Sequence, residues 1–512
     1  MSRTSRAWDV AALVVLAASL AFRLATFSQA RFAGDEALQY GIAEDVADFK
    51  VFPTHGTAIT GAVRAFIPGG AYYATLAIPL LVSDRPEASM LWIGLLAFAG
   101  LVLGWRLLRA EYGSFAAFGA VLLAAFNPFP MFHSDRIWNP NLLLPIGYLF
   151  AFLLARTIRG QGRRPAFWLA ALLVFAPQIH LSCAHLVVLA TLVLAAARPK
   201  GLSWRHLALG AALGAATYVP YLVADAMQGF QNTRALTGNL AKTTAPAIEA
   251  LRAVYYMVLY PAGDPTYFVA HGAASPMTEW GFWRGDGPAR MAAFLGWPAA
   301  SGVLPAAGVV LGVLGALAAL VAMAGGTIAG LWRRGVEAIR TDPLAFAALV
   351  NLPVLAFLFW GRKPFYPHYT IVVFPLALVP IARALSRVRP GRASVAIAAL
   401  LAGIALSQGV LTERHYRTDE ARTSVPVYRD VARILLADNP GAPSAFACAL
   451  PRAQCASYPA HVIATREFGR TFREDRDARV RYTLSEPGEA HAAGATRVWD
   501  LGPAWLVRRD RF

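Results

Sequence analysis

G-G-A-Y-Y-A-T-L-A-I-P-L-L-V, residues 69 to 82, is the stretch on which the topology of this chain turns. It is almost wholly apolar, yet at about fourteen residues it falls short of the roughly twenty that an α-helix needs to cross a bilayer. That length suits an interfacial or re-entrant helix. Around it lie eleven clearer spans, at about 8–27, 88–108, 113–131, 141–158, 166–181, 183–198, 205–224, 302–331, 343–360, 366–385 and 393–411. If residues 69 to 82 do not cross, the short loops on the N-terminal side carry 18 basic residues, from Arg3 and Arg6 through Arg156, Arg159, Arg163 and Arg164 to Arg383, Arg387, Arg389 and Arg392. The longer opposite loops carry 12 before the C-terminal tail. The positive-inside rule then places the N-terminus in the cytoplasm. A crossing at 69 to 82 would reverse every later loop and put the most basic ones outside.

Composition agrees with a polytopic helical membrane protein: of 512 residues, 57% are hydrophobic and 15% charged. The apolar runs are continuous and rich in Leu, Ala and Val, without the two-residue alternation of a barrel strand. A net charge of +17 in a soluble chain would suggest nucleic acid, but here the basic residues flank apolar spans and act as topology signals, so no nucleic-acid partner is expected. The run from Trp8 to Phe27 is longer than a signal-peptide core, which favours an uncleaved first helix over cleavage after Ser28-Gln29-Ala30. Of three cysteines, Cys183 lies in an apolar run, whereas Cys448 and Cys455 lie close together near the C-terminus, where a disulfide requires an extracytoplasmic location. No zinc spacing is present.

With this topology the chain is a multi-pass protein of the cytoplasmic (inner) membrane, and its unusual polar residues share the periplasmic or extracellular face. They are the Asp35-Glu36 pair in the first outer loop (28–87), H-S-D-R-I-W-N-P (133–140), the long loop 225–301, R-K-P-F-Y-P-H-Y (362–369) and the tail after Thr412. Ionisable groups at a membrane edge are costly and mark candidate functional sites. From Asp35 onward, Leu38, Ile42, Val46 and Phe49 recur at near-helical spacing, predicting an amphipathic helix with residues 69 to 82 as its partner. The chain divides into a membrane catalytic domain, 1–411, and an extracytoplasmic α+β domain, 412–512. In the latter, Val427 to Ala437 reads as a helix, and Ser444 to Leu450, Val480 to Leu484 and Trp505 to Arg509 as strands.

An uncleaved first helix, an outward Asp-Glu pair, two juxtamembrane helices and a short outward S-x-R-x-x-N-P loop together resemble the GT-C glycosyltransferases of the protein mannosyltransferase and aminoarabinose transferase type, glycosyltransferase family 39 and relatives. The resemblance covers roughly residues 1 to 385. It implies a GT-C-like all-α membrane fold and transfer of a sugar from a polyprenyl-phosphate carrier to a lipid, glycan or protein acceptor on the outer side of the membrane. The family's first-loop acid matches Asp35, and its Lys/Arg-Pro-x-Tyr segment matches Lys363-Pro364-Phe365-Tyr366. Two positions depart from the pattern. The family's second-loop Asp-Pro is Asn139-Pro140 here, with an acid instead at Asp135. The acid that precedes proline in the second juxtamembrane helix of the aminoarabinose enzymes is replaced by Phe66-Ile67-Pro68, which removes one metal ligand. A divalent metal stays open, and no other cofactor is implied.

The chemistry of such a transfer asks for these residue types. Displacing a lipid phosphate from an anomeric carbon needs a base for the acceptor hydroxyl proton, and one carboxylate is enough when the configuration inverts. It also needs cations near the departing phosphate. Asp35 is the expected base with Glu36 beside it. Arg136, Arg362 and Lys363 are the expected phosphate partners, and Tyr72, His133, Asp135, Asn139, His180, Tyr366 and His368 the expected substrate contacts. Each has a plainer reading. Asp35 or Glu36 could cap the following helix, Arg136 and Asp135 could form an ion pair, Arg362 and Lys363 could be interface anchors, Tyr72 and Trp138 belt aromatics, and His180 a buried histidine. Two other functions stay open: an O-antigen ligase or polymerase type of lipid-carrier transferase, which relies on outward arginines in a late loop, and a transporter, which requires broken helices in related halves.

Overall fold

The structure is a computed structural model describing residues 3–59, 65–240, 248–262, 303–359, 367–417 and 421–510, the last stretch without 439, 441, 442, 451–456, 472, 475–477, 479, 486 and 489–494. In chain order come α1 (Arg3–Thr26), α2 (Gly34–Ala47), the strands β1 (His55–Ala58) and β2 (Phe66–Pro68), α3 (Ala71–Leu80), α4 (Pro86–Tyr112), α5 (Ser114–Ala125), α6 (Leu143–Ile158), α7 (Arg163–Phe175) and α8 (Ala184–Ala197). Then follow α9 (Trp204–Ala216), α10 (Val219–Met227), α11 (Gln231–Leu240), α12 (Ile248–Ala262), α13 (Val303–Arg334), α14 (Pro343–Phe359), α15 (Val379–Leu385) and α16 (Arg392–His415). The C-terminal region holds α17 (Val425–Asp438), β3 (Ser444–Ala449), α18 (Ser457–Phe468), β4 (Val480–Ser485), β5 (Arg497–Asp500) and β6 (Trp505–Asp510).

The expected spans are largely helical where they are described, with breaks at Phe126-Asn127, His180 and Thr217-Tyr218, and their lengths differ. Among the described residues six helices are long and apolar enough to cross a membrane, seven if α9 and α10, bent by 47° at their junction, form one span. Others are shorter for identifiable reasons. The segment 113–131 breaks at Asn127-Pro128, where the asparagine side chain caps a new turn, and 166–181 breaks at Ala176-Pro177. The stretch 69 to 82 forms the ten-residue α3, ending just past Pro79. Close approaches between helices use small residues, as expected where no water drives association. A side chain at Gly104 would overlap the Tyr148 ring, and one at Gly210 the Phe167 carbonyl.

The two ends of the bundle differ chemically. At one end, Arg109 pairs with Asp9 at 2.6 Å, Ser5 with Ser114 at 2.9 Å and Arg383 with Asp342 at 2.7 Å. There Arg159 also meets Glu111, and Arg340 donates to the Ala197 carbonyl at 2.9 Å. These are the basic loops of the charge count, gathered at one end. The connections after α1, α5, α7 and α16 meet at the other end, where Arg23 donates to Ser134 and Tyr416 to Asp135.

On this second end lie α2, α3 and the C-terminal region, sharing one apolar core that includes Phe32, Tyr40, Tyr72, Leu76, Val425, Tyr428, Val431, Ile463 and Leu484. The helix α2 turns Ala37, Tyr40, Ala43 and Ala47 toward the protein and Leu38 outward, while Phe49 lies beyond the helix end, exposed. The C-terminal sheet has the order β3-β4-β6-β5, with β3 and β4 parallel and the other pairs antiparallel. The expected strands are β3, β4 and β6, and the expected helix is α17. The side chain of Cys448 and the whole of Cys455 lie outside the described residues, as does most of the loop 225–301.

Candidate active site

The sequence R-F-A-G-D-E turns tightly into α2 and gives its two acids different fates. Glu36, the third helical residue, is fully buried. Its Oε2 accepts the Ala33 backbone N–H at 3.1 Å, satisfying a donor that the helix start would otherwise leave bare. Its Oε1 accepts from Arg31 Nε at 3.3 Å and Nη2 at 3.1 Å, and lies 3.8 Å from Arg136 Nη1. Glu36 is therefore both the helix cap and the shared counter-charge of two guanidiniums. Asp35, one residue earlier, faces outward and is exposed, and among the described residues no hydrogen bond reaches its carboxyl. Partial burial among its neighbours and the adjacent Glu36 raise its pKa above the usual aspartate value, with Arg31 opposing. The helix N-terminus alone would lower it, so crowding outweighs the dipole here.

Arg136 is nearly inaccessible, its guanidinium 3.2 Å from the centroid of the Phe132 ring. Asn141 donates to the Arg136 carbonyl at 3.1 Å, and Asn139 donates to the Ile179 carbonyl at 3.0 Å. The second-loop motif is thus stitched to α2 on one side and to the Q-I-H segment on the other. Asp135 is buried against Tyr416, and His133 is buried among Phe129, Phe132 and Trp138. Tyr72 is fully buried and donates to Gln39 Oε1.

Beside these lies a group of partly exposed rings. Trp138 stands 4.7 Å from His368, His368 is 4.5 Å from Tyr369, and His180 is 5.9 Å from His368 and 5.5 Å from Tyr369. His180 Nδ1 accepts the Ser182 N–H at 3.2 Å, which puts the proton of the neutral ring on Nε2. Of the expected site residues, then, Asp35, Glu36, Tyr72, His133, Asp135, Arg136, Asn139, His180 and His368 come together at one end of the bundle. Among them Asp35, His180 and His368 are open to solvent in whole or part, and the others are buried. Arg362, Lys363 and Tyr366 lie outside the described residues.

One cation was not anticipated. Arg31 sits between Glu36 and the surface, with a quarter of its side chain exposed, and acts electrostatically on Asp35. Its five-residue separation from Glu36 spans a helix cap, which is not a spacing at which helical side chains meet. Only the sharp turn at Ala33-Gly34 brings the two together. Among the described residues no three His, Cys, Asp or Glu side chains gather as a metal site, and Ile67, the residue before Pro68, is buried.

No family model and no curated protein sequence matches this chain. Solved structures do match. The chain is similar over 97% of its length to ArnT from Cupriavidus metallidurans in the apo state, with 97% of that chain covered, 12% identity and a TM-score of 0.54. It is similar over the same shares to ArnT from Cupriavidus metallidurans bound to undecaprenyl phosphate, with 11% identity and a TM-score of 0.53. The fold is that of ArnT, here with a small strand-containing C-terminal region.

Proposed function

We propose that this protein is a lipid-carrier glycosyltransferase that moves a sugar from a polyprenyl phosphate to an acceptor hydroxyl at the outer face of the cytoplasmic membrane, with Asp35 as the base. The observation that carries the reading is the division of labour within one acid pair. Glu36 is consumed by capping and by two arginines, while Asp35 is left exposed, with a raised pKa, beside the partly exposed Arg31. It is supported by the full-length likeness to a fold that, in ArnT, holds undecaprenyl phosphate.

In this mechanism the acceptor O–H gives its proton to an Asp35 carboxyl oxygen as its oxygen bonds to the anomeric carbon. The bond from that carbon to the phosphate oxygen breaks on the opposite side, and the lipid phosphate departs with the electron pair, inverting the configuration. A carboxylate with a raised pKa is a stronger base, suited to a proton transfer near neutral pH. Arg31, together with Arg362 and Lys363, supplies positive charge for the departing phosphate. Trp138, His180, His368 and Tyr369 flank the substrate in this scheme, with His180 Nε2–H as a neutral donor. No metal-dependent step is part of the scheme. The test is sugar transfer in membranes supplied with polyprenyl-phosphate sugars, followed by mass spectrometry of envelope lipids and glycans from a knockout, which should lack one sugar increment. Envelope material with no missing sugar would argue against the reading.

A further inference from the structure

The C-terminal region grips α2 at both ends. Before the helix starts, the Phe32 N–H donates to the Thr423 carbonyl at 2.8 Å, and Arg31 forms an antiparallel bridge with Ser424. In its last turns, Arg466 of α18 reaches Glu44 at 3.0 Å and Asp45 at 2.9 Å. A second anchor fixes the gripping region itself. Arg429 of α17 bonds Glu467 of α18 at 2.6 Å and Glu87 at the start of α4 at 2.9 Å, tying α17, α18 and the bundle together. Arg429 exposes 15% of its side chain and Arg466 24%, so the first is largely shielded and the second partly so, unlike fully exposed pairs, which contribute little. Between the two grips α2 is about 21 Å long. A rod held at both ends is fixed in axial rotation as well as position, and rotation decides where its second residue, Asp35, points.

We propose that the C-terminal region is the positioning element of the active site, holding α2 through Thr423 and Ser424 at one end and Arg466 at the other and so setting the place of Asp35. Arg466 is a positioning residue, acting on Asp35 only through α2. The proposal rests on the reading of Asp35 as the base, but its structural half can be measured without it.

The experiment uses the full chain in lipid nanodiscs and compares wild type with Arg466→Met, which keeps the aliphatic stem, with Glu44→Gln/Asp45→Asn, which removes the partners instead, and with Arg433→Ala, an exposed ion-pair control on α17. Hydrogen exchange of the peptide spanning residues 32 to 47 should quicken by about tenfold in the first two proteins and stay at the wild-type rate in the third. Sugar transfer in the first two should fall in kcat while KM for the lipid donor is held, and Arg466→Lys should restore part of the loss. An α2 that exchanges at the wild-type rate in both Arg466→Met and the double variant overturns the proposal. So does a loss that appears in KM alone. If α2 loosens as expected while the wild type transfers no sugar from any lipid phosphate, the grip stands and the glycosyltransferase reading falls.

Discussion

Asp35 and Glu36 are adjacent and chemically alike, and their replacement should fail in different ways. Asp35→Asn keeps shape and loses basicity, so sugar transfer should drop by about a hundred- to ten-thousandfold. Expression and thermal midpoint should hold, because among the described residues no hydrogen bond to that carboxyl is lost. Glu36→Gln instead removes the charge that Arg31 and Arg136 share in a buried site, a loss of about 3–5 kcal/mol by analogy with broken buried pairs. It should appear as a lowered melting temperature in detergent before any kinetic effect is read. An unchanged melting temperature for Glu36→Gln would deny it the anchoring role. Glu44 offers a pH test. Burial raises its pKa to about 7, with Arg466 opposing and Asp48 and Asp45 adding to the rise. Because the folded value lies above the unfolded one, the stability linked to this group is complete below its ordinary pKa and is lost as pH climbs toward and through 7. Glu44→Gln should therefore flatten the decline in melting temperature between pH 5 and pH 8, and an equally steep decline would contradict the assignment. Asp35 was readable from its place after the first span. Arg31 was not, since its link to Glu36 exists only in the folded turn, and the burial of Arg136 and Asp135 depends on Phe132 and Tyr416, whose closeness no local pattern announces.

At the scale of elements, what could be read followed length and period. Long apolar runs marked the helices, and short apolar runs among the charged residues of the tail marked β3, β4 and β6. The elements that escaped are those held by distant partners. The β1–β2 hairpin has only four and three residues, and its edge is completed by Asn232, which accepts the Phe66 N–H at 2.7 Å and donates to the Phe66 carbonyl at 3.1 Å across 166 positions. The strand β5 is a largely exposed edge without alternation, and α18 carries a proline in its first turn. The hairpin feeds α3 through Gly69 and Gly70, where the chain takes a positive φ at Gly69 and passes close to Gln178 and Pro53. A side chain at Gly70 would collide with the Pro53 carbonyl, so Gly70→Ala should destabilise by about 1–3 kcal/mol. Gly34→Ala, with open space around it, should be close to neutral in the same melting assay. Equal effects at the two positions would mean that the turn is not tightly packed.

For the whole molecule, the sequence carries topology as charge asymmetry, and the basic loops do gather at one end of the bundle, opposite the candidate site. The account predicts which end faces out. In a background lacking the three native cysteines, single cysteines at Lys50 and at Arg433, both more than half exposed, should react with an impermeant thiol reagent added to intact cells. One at Glu337, exposed at the other end, should react only after lysis. Labelling of Glu337→Cys from outside would invert the topology. The claim beneath all of this is that an exposed carboxylate near the membrane surface removes a proton while a lipid phosphate leaves. The direct measurement is release of undecaprenyl phosphate from an undecaprenyl-phosphate-linked sugar by the purified protein in nanodiscs, followed by mass spectrometry with wild type and Asp35→Asn in parallel. Acceptor-dependent release by the wild type and its near-complete loss in Asp35→Asn is the predicted result, and equal release by both proteins would contradict it.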